Sequence, residues 1–293
     1  MPPLTRRSLL LAMAPRPAAF RWAICSETFA GLPFPAACRA AARCGYAGIE
    51  VEPAHLGPDP VQLSAAERKQ VRQHMASAGL RFTGFHNALK APAGLHLTSA
   101  DPAQRARSWD YLRSIVDLAA DLGPSPLIAF GSSRQRNALP GVSPAEATQR
   151  LADGLAALAP HARSRGVTIA LEPLAPHLCN IIQTLAEALA VVQPVQSPAL
   201  QTMFDTHNAV AETVPHAVAV RQYKTSIRHV HLNELDGRYP GAADYPFLPI
   251  LQALRDIRYP GWVSVEVFDF KPDGETVARL ALEHLRKLEA SLP

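Results

Sequence analysis

Residues 166–174 read Gly166-Val167-Thr168-Ile169-Ala170-Leu171-Glu172-Pro173-Leu174. A glycine that can stop a helix precedes a short apolar, β-branched run of strand length, which ends on an acid and a proline. The helix being stopped lies just upstream, where Leu151, Leu155, Leu158 and Ala162 share one apolar face. Downstream, Thr184-x-x-Glu187 opens another helix as a capping box, and Leu200–Asp205 is the next apolar strand. Helix, strand, helix and strand follow one another without a hairpin turn. That order belongs to parallel strands joined by helical crossovers.

The alternation continues in both directions. Strands are expected at Arg21–Thr28, Gly48–Glu52, Arg81–His86, Leu127–Gly131, Thr168–Leu174, Leu200–Asp205, Ile227–Asn233 and Trp262–Phe268. Leu112, Ile115, Leu118 and Leu122 give a second helical face, and Ser64-x-x-Glu67 and Ser143-x-x-Glu146 are further capping boxes. Gly79 stands before the third strand as Gly166 does before the fifth. Successive strand starts fall 27 to 46 residues apart, the length of a βα unit. Eight such units predict the α/β class and a single closed (β/α)8 barrel over residues 20–293. A doubly wound sheet would carry a glycine-rich turn after its first strand, where this chain has Glu27-Thr28-Phe29-Ala30-Gly31. No domain boundary is visible, and Asn87–Pro102 and Glu234–Tyr245 read as loops over the barrel mouth, the second as a lid.

Composition excludes several classes. Of 293 residues, 48% are hydrophobic and 18% charged, enough for a large core and not a disordered chain. No apolar run reaches the ~18 residues of a membrane span. The net charge is only +4 and the arginines are scattered, so neither nucleic acid nor membrane is expected as a partner. Cys25, Cys38, Cys44 and Cys179 form no C-x-x-C pair and no zinc spacing, which points to a reduced compartment. Residues 1–19 are set apart as a disordered tail or vestigial signal. Thr5-Arg6-Arg7-Ser8-Leu9-Leu10-Leu11 resembles the core of a twin-arginine export signal, but its apolar stretch falls short of the ~7–15 residues of a working one. A cytoplasmic location is expected, or a periplasmic one if that signal works.

In such a barrel the chemistry sits at the C-terminal ends of the strands. Strand five ends on Glu172, strand six on Asp205, strand seven carries His231 and strand eight Glu266. Three acids and an imidazole around one axis would repel and desolvate one another unless a cation held them. One divalent ion is expected. The oxygen-rich set favours Mn2+, with Mg2+, Co2+ or Zn2+ as alternatives. His229 shares the face of His231 one layer deeper, as a supporting histidine. Glu27, Glu50 and Glu52 also reach the mouth, and one of the last two lies deeper and hydrogen-bonded. Arg134 and Arg136 read as solvated loop residues, with a phosphate contact as the alternative.

Leu171-Glu172-Pro173, Phe204-Asp205-Thr206, His229-Val230-His231 and Val265-Glu266-Val267-Phe268, in this order, resemble the sugar phosphate isomerase/epimerase superfamily. These are the xylose-isomerase-like TIM barrels, among them ketose 3-epimerases, hydroxypyruvate isomerases and inosose dehydratases. The resemblance spans roughly residues 20 to 288. It implies that Glu172, Asp205, His231 and Glu266 ligate the metal, and that Glu172 and Glu266 double as the catalytic acid/base pair. Arg238 resembles an arginine that contacts substrate oxygens. His86, His177 and Asn208 complete the expected substrate-binding set, with capping as the alternative role of His86. Leu178 stands where many epimerases carry a substrate-binding Glu, so the substrate shell departs from theirs.

The implied activity is a divalent-metal-dependent sugar isomerase or epimerase, working through a metal-stabilised enediolate on a small-molecule sugar or keto-sugar. The same intermediate could expel a β-leaving group, which makes a 3-keto-glycoside or keto-sugar lyase or dehydratase the alternative. An AP-endonuclease-like DNA repair enzyme and a non-catalytic sugar-binding subunit are more remote alternatives. A homo-oligomer is compatible with all of these.

Overall fold

A computed structural model describes residues 19–293, and Arg6-Arg7 with the rest of the export-like segment lies outside them. Eight parallel strands close into a barrel in chain order: β1 (Arg21–Cys25), β2 (Gly48–Val51), β3 (Arg81–Phe85), β4 (Leu127–Phe130), β5 (Thr168–Leu171), β6 (Leu200–Asp205), β7 (Ile227–Leu232) and β8 (Trp262–Val265). β8 pairs back onto β1. The closure excludes the doubly wound sheet. Around it lie α1 (Phe34–Cys44), α2 (Ala65–Ser77), α3 (Pro102–Leu122), the single turn α4 (Ser133–Arg136), α5 (Pro144–Ser164), α6 (Leu185–Val192), α7 (His216–Gln222), α8 (Phe247–Asp256) and α9 (Gly274–Ala290). Among the described residues no helix is long and apolar enough to cross a membrane.

The helix signals work as their chemistry dictates, with one difference. Ser64 with Glu67 and Thr184 with Glu187 form reciprocal capping boxes. Ser143 accepts from the Glu146 N–H at 3.2 Å, but the Glu146 carboxylate turns instead to Arg150 one turn along α5. An opposite charge outcompetes a backbone N–H for that carboxylate. Gly79 and Gly166 follow α2 and α5 at φ of +74° and +67°, which a side chain would strain.

Several strands end earlier than their apolar runs. β5 stops at Leu171 because Pro173 has no N–H for the ladder, and β1 winds into a 3-10 turn over Ser26–Phe29. Glu172 and Glu266 therefore sit just past the sheet. The main core lies between strands and helices, with Ile24, Val51, Phe130, Phe204 and Val265 packed outward. Inside the barrel the two sides differ. Ala129, Ala170 and Met203 form a small apolar cluster, while buried Cys25, Glu50, His229 and Ser264 line the other side.

Two register shifts aim residues into the mouth. Between β2 and β3, Ile49 pairs with Phe82 but Glu50 pairs with Gly84, leaving Thr83 as the extra residue. Phe82 and Phe85 consequently both pack outward, their rings 5.1 Å apart, and His86 turns inward. A second shift, between β6 and β7, brings Asp205 level with His231.

Candidate active site

Glu172, Asp205, His231 and Glu266 each follow an inward residue two places earlier, by the period of a strand. Their ligand atoms all lie within 4.8 Å of one another, and all four residues are buried. His231 Nδ1 is 3.1 Å from Glu266 Oε2, 3.5 Å from Asp205 Oδ2 and 4.0 Å from Glu172 Oε1. Gly131 leaves room beside them, because a Cβ there would displace Glu172 Oε2 from its place.

Behind the cluster lies a supporting layer. His231 Nε2 is 3.1 Å from Glu50 Oε1, and Glu50 Oε2 is 2.7 Å from His229 Nε2. Glu50, in β2, is thus deeper than Glu52 just past it, and it turns Nδ1 of His231 toward the three carboxylates. Glu52 pairs with Lys90 at 2.6 Å nearer the rim. Asn208 donates from Nδ2 to Glu172 Oε1 at 3.0 Å and from its backbone N–H to Asp205 Oδ1 at 3.0 Å.

The electrostatics are those of crowded acids. Burial, with Glu266 and Asp205 alongside, pushes Glu172 well above the usual carboxylate range. Burial also opposes charge on Glu266, but His231 and His86 outweigh it and hold Glu266 low. Burial likewise disfavours the His231 cation, yet Glu50 and Glu266 win and raise it well above an ordinary histidine. Asp205 Oδ2 is buried with no hydrogen-bond partner among the described residues. A divalent cation among the four residues fits this donor set, because it would satisfy that oxygen and offset the repulsion among the three acids.

The structure places the substrate-facing set unevenly. His86 is buried beside Glu266, with Nδ1 3.4 Å from Oε1. Asn208 lies behind the carboxylates, its Oδ1 accepting from Ala175 N–H at 3.2 Å. His177 is exposed at the rim, edge-on to His207 at 5.7 Å, and His207 in turn lies 5.0 Å from Phe268. Arg238 is paired with Asp236 at 2.8 Å and is not brought to the cluster. Its loop is no loose lid: the buried Glu234 carboxylate accepts from Gly241 N–H at 2.8 Å and Tyr245 N–H at 3.0 Å.

One reading is corrected and one residue was missed. Arg136 is not solvated but wholly buried, donating from Nη2 to the Glu172 carbonyl at 2.6 Å. Nothing in Ser-Arg-Gln-Arg separates Arg136 from the exposed Arg134, because only the fold turns one of them inward. That the His207 ring lies between His177 and Phe268 is written in no local pattern, since the three residues come from three different loops.

A family model described as the xylose isomerase-like TIM barrel matches residues 38–288. An L-ribulose 3-epimerase of Methylomonas sp. (strain DH-1) is 31% identical over 237 residues, 78% of this chain and 76% of that protein. A D-psicose 3-epimerase of Agrobacterium fabrum (strain C58 / ATCC 33970) is 27% identical over 228 residues, again 78% and 76%. A solved D-psicose 3-epimerase, determined in the presence of D-fructose, has the same fold. Its TM-score is 0.78 at 24% identity, covering 92% of this chain and 99% of that one. Barrel, family match and relatives agree: this chain belongs to the xylose isomerase-like TIM barrel family, and its named relatives are enzymes that epimerise sugars.

Proposed function

We propose that the protein is a divalent-metal-dependent epimerase of a small ketose or keto-sugar. The observation that carries this reading is the convergence of Glu172, Asp205 and Glu266 on Nδ1 of His231 at the barrel mouth. These four residues would hold the ion, Mn2+ by the hardness of their oxygens. When bound, the ion supplies Lewis acidity that polarises a sugar carbonyl and makes the neighbouring C–H more acidic.

The chain's own groups do the rest. Glu172 follows β5 and Glu266 follows β8, so two carboxylates reach the mouth from different strands, and one can take a proton while the other gives one. Glu266 removes the proton beside the carbonyl, Glu172 returns one to the opposite face, and the reverse reaction exchanges their roles. Asn208 aims the Glu172 carboxylate. His86, with both ring nitrogens unpartnered, is available to a substrate hydroxyl. His177 and Arg238 lie further out, where a longer substrate would reach them.

The test is a panel of free ketoses, ketose phosphates and 3-keto-glycosides assayed with Mn2+ in D2O. Deuterium is expected at the carbon beside the carbonyl, together with the epimeric product by NMR. Purified protein should hold about one tightly bound ion per chain at this site, and Asp205→Ala or His231→Ala should lose most of it. Full metal content in both variants, or no exchange on any panel member, would overturn the reading.

A further inference from the structure

Glu266 turns its two oxygens in different directions. Oε2 faces His231 Nδ1 at 3.1 Å, and Oε1 faces His86 Nδ1 at 3.4 Å. On the Oε1 side stands a second set of donors. Cys25 from β1, His86 after β3 and Glu266 each offer an atom within 4.8 Å of the others, and all are buried. Glu27 Oε1 is 3.9 Å from His86 Nδ1. His86 is 1% exposed, yet among the described residues neither of its ring nitrogens makes a hydrogen bond, and Glu27 Oε1 is likewise buried without a partner there. Unpartnered polar atoms at this depth are costly, and here they converge.

The 3.4 Å separation of His86 Nδ1 and Glu266 Oε1 suits two donors bonded at about 2.0–2.2 Å to one tetrahedral centre. Glu27 Oε1, at 3.9 Å from His86 Nδ1, would close in by a few tenths of an ångström to join them. The donor chemistry also differs from that of the neighbouring cluster. A thiolate, an imidazole and carboxylates form a set for Zn2+, whereas the cluster around His231 is dominated by hard oxygens.

We propose that Cys25, His86 and Glu266, with Glu27 as fourth donor, form a second, inhibitory Zn2+ site that shares Glu266 with the catalytic one. Cys25 gives up its thiol proton on binding. Glu266 Oε1 and His86 are then both withdrawn from substrate, so Zn2+ competes with the sugar. The inhibitory effect rests on the reading of Glu266 as a proton-transfer group, but the existence of the site does not.

Two measurements keep these apart. Loading the metal-free protein with Co2+ should give about two ions per chain, and a thiolate-to-cobalt charge-transfer band in the near ultraviolet that Cys25→Ser lacks. Zn2+ titrated into the Mn2+-loaded enzyme should inhibit, and Cys25→Ser, with basal activity retained, should need about ten-fold more Zn2+ or higher. Absence of the thiolate band at saturating Co2+ would overturn the site. Equal Zn2+ sensitivity in wild type and Cys25→Ser would overturn its inhibitory role. If instead the wild type turns over no sugar with Mn2+, the epimerase reading fails while the cobalt band still decides the site.

Discussion

Arg136 reaches Glu172 through the main chain, its buried guanidinium donating from Nη2 to the Glu172 carbonyl at 2.6 Å. Among the described residues Nε and Nη1 of the same group are buried with no hydrogen-bond partner, so the bond from Nη2 stands alone against the burial of its charge. A residue in that state is held for where it puts Glu172. Arg136→Met should leave the urea midpoint of the metal-free protein unchanged or higher, while kcat falls about ten-fold as Glu172 loses its fixed position. A lower midpoint with unchanged kcat would make Arg136 a structural residue only.

The barrel was legible because each βα unit carries its own period, cap and stop within a few dozen residues. Leu151 to Ala162, Gly166 and Thr168–Leu171 specify a helix, its end and a strand without reference to the rest of the chain. The four central residues were legible for a related reason, since each is an acid or imidazole at or just past the C-terminal end of its strand. The layer behind them was not. Glu50 meets His229 and His231 across the barrel, and no local pattern records a partner 179 residues away. The Thr83 bulge adds one residue to β3, so simple alternation cannot say which way His86 points.

The loop after β7 tests whether a pinned segment can still touch substrate. Glu234 fixes its backbone at Gly241 and Tyr245, and the Phe268 N–H donates to the Gly237 carbonyl at 2.8 Å. The Arg238 side chain is less firmly held than this backbone, because its ion pair among the described residues is with the exposed Asp236 and such pairs hold weakly. Arg238→Ala should therefore raise KM several-fold, with metal content and kcat little changed. An unaltered KM across the sugar panel would leave this loop as a connector.

Glu27 gives the metal-free protein a pH signature. Burial raises its carboxyl from 4.5 to about 7. Between those values the folded protein keeps a proton that the unfolded chain has released. The stability linked to Glu27 is therefore full below about pH 4.5 and is lost as pH rises toward 7. The span corresponds to on the order of 3 kcal/mol. Urea unfolding across this range should show wild type losing more stability than Glu27→Gln. Parallel curves would mean that Glu27 is already ionised in the folded protein at low pH.

The acid/base pair can be divided face by face. Glu172→Gln and Glu266→Gln keep the size of the side chain and one oxygen donor but remove the proton-transfer group. In Glu172→Gln the remaining carbonyl oxygen can still accept from Asn208 Nδ2, so the side chain keeps its aim. Each variant should fold, retain much of its metal, and interconvert epimers about 10²–10⁴-fold more slowly. Exchange should divide differently. With one carboxylate gone, the other still takes a proton from its own face, so each variant should wash deuterium into one epimer only, and the two variants into opposite ones. Comparing the initial exchange of the two epimers by NMR reads this directly. Exchange from both epimers surviving in either variant would show that a single group serves both faces.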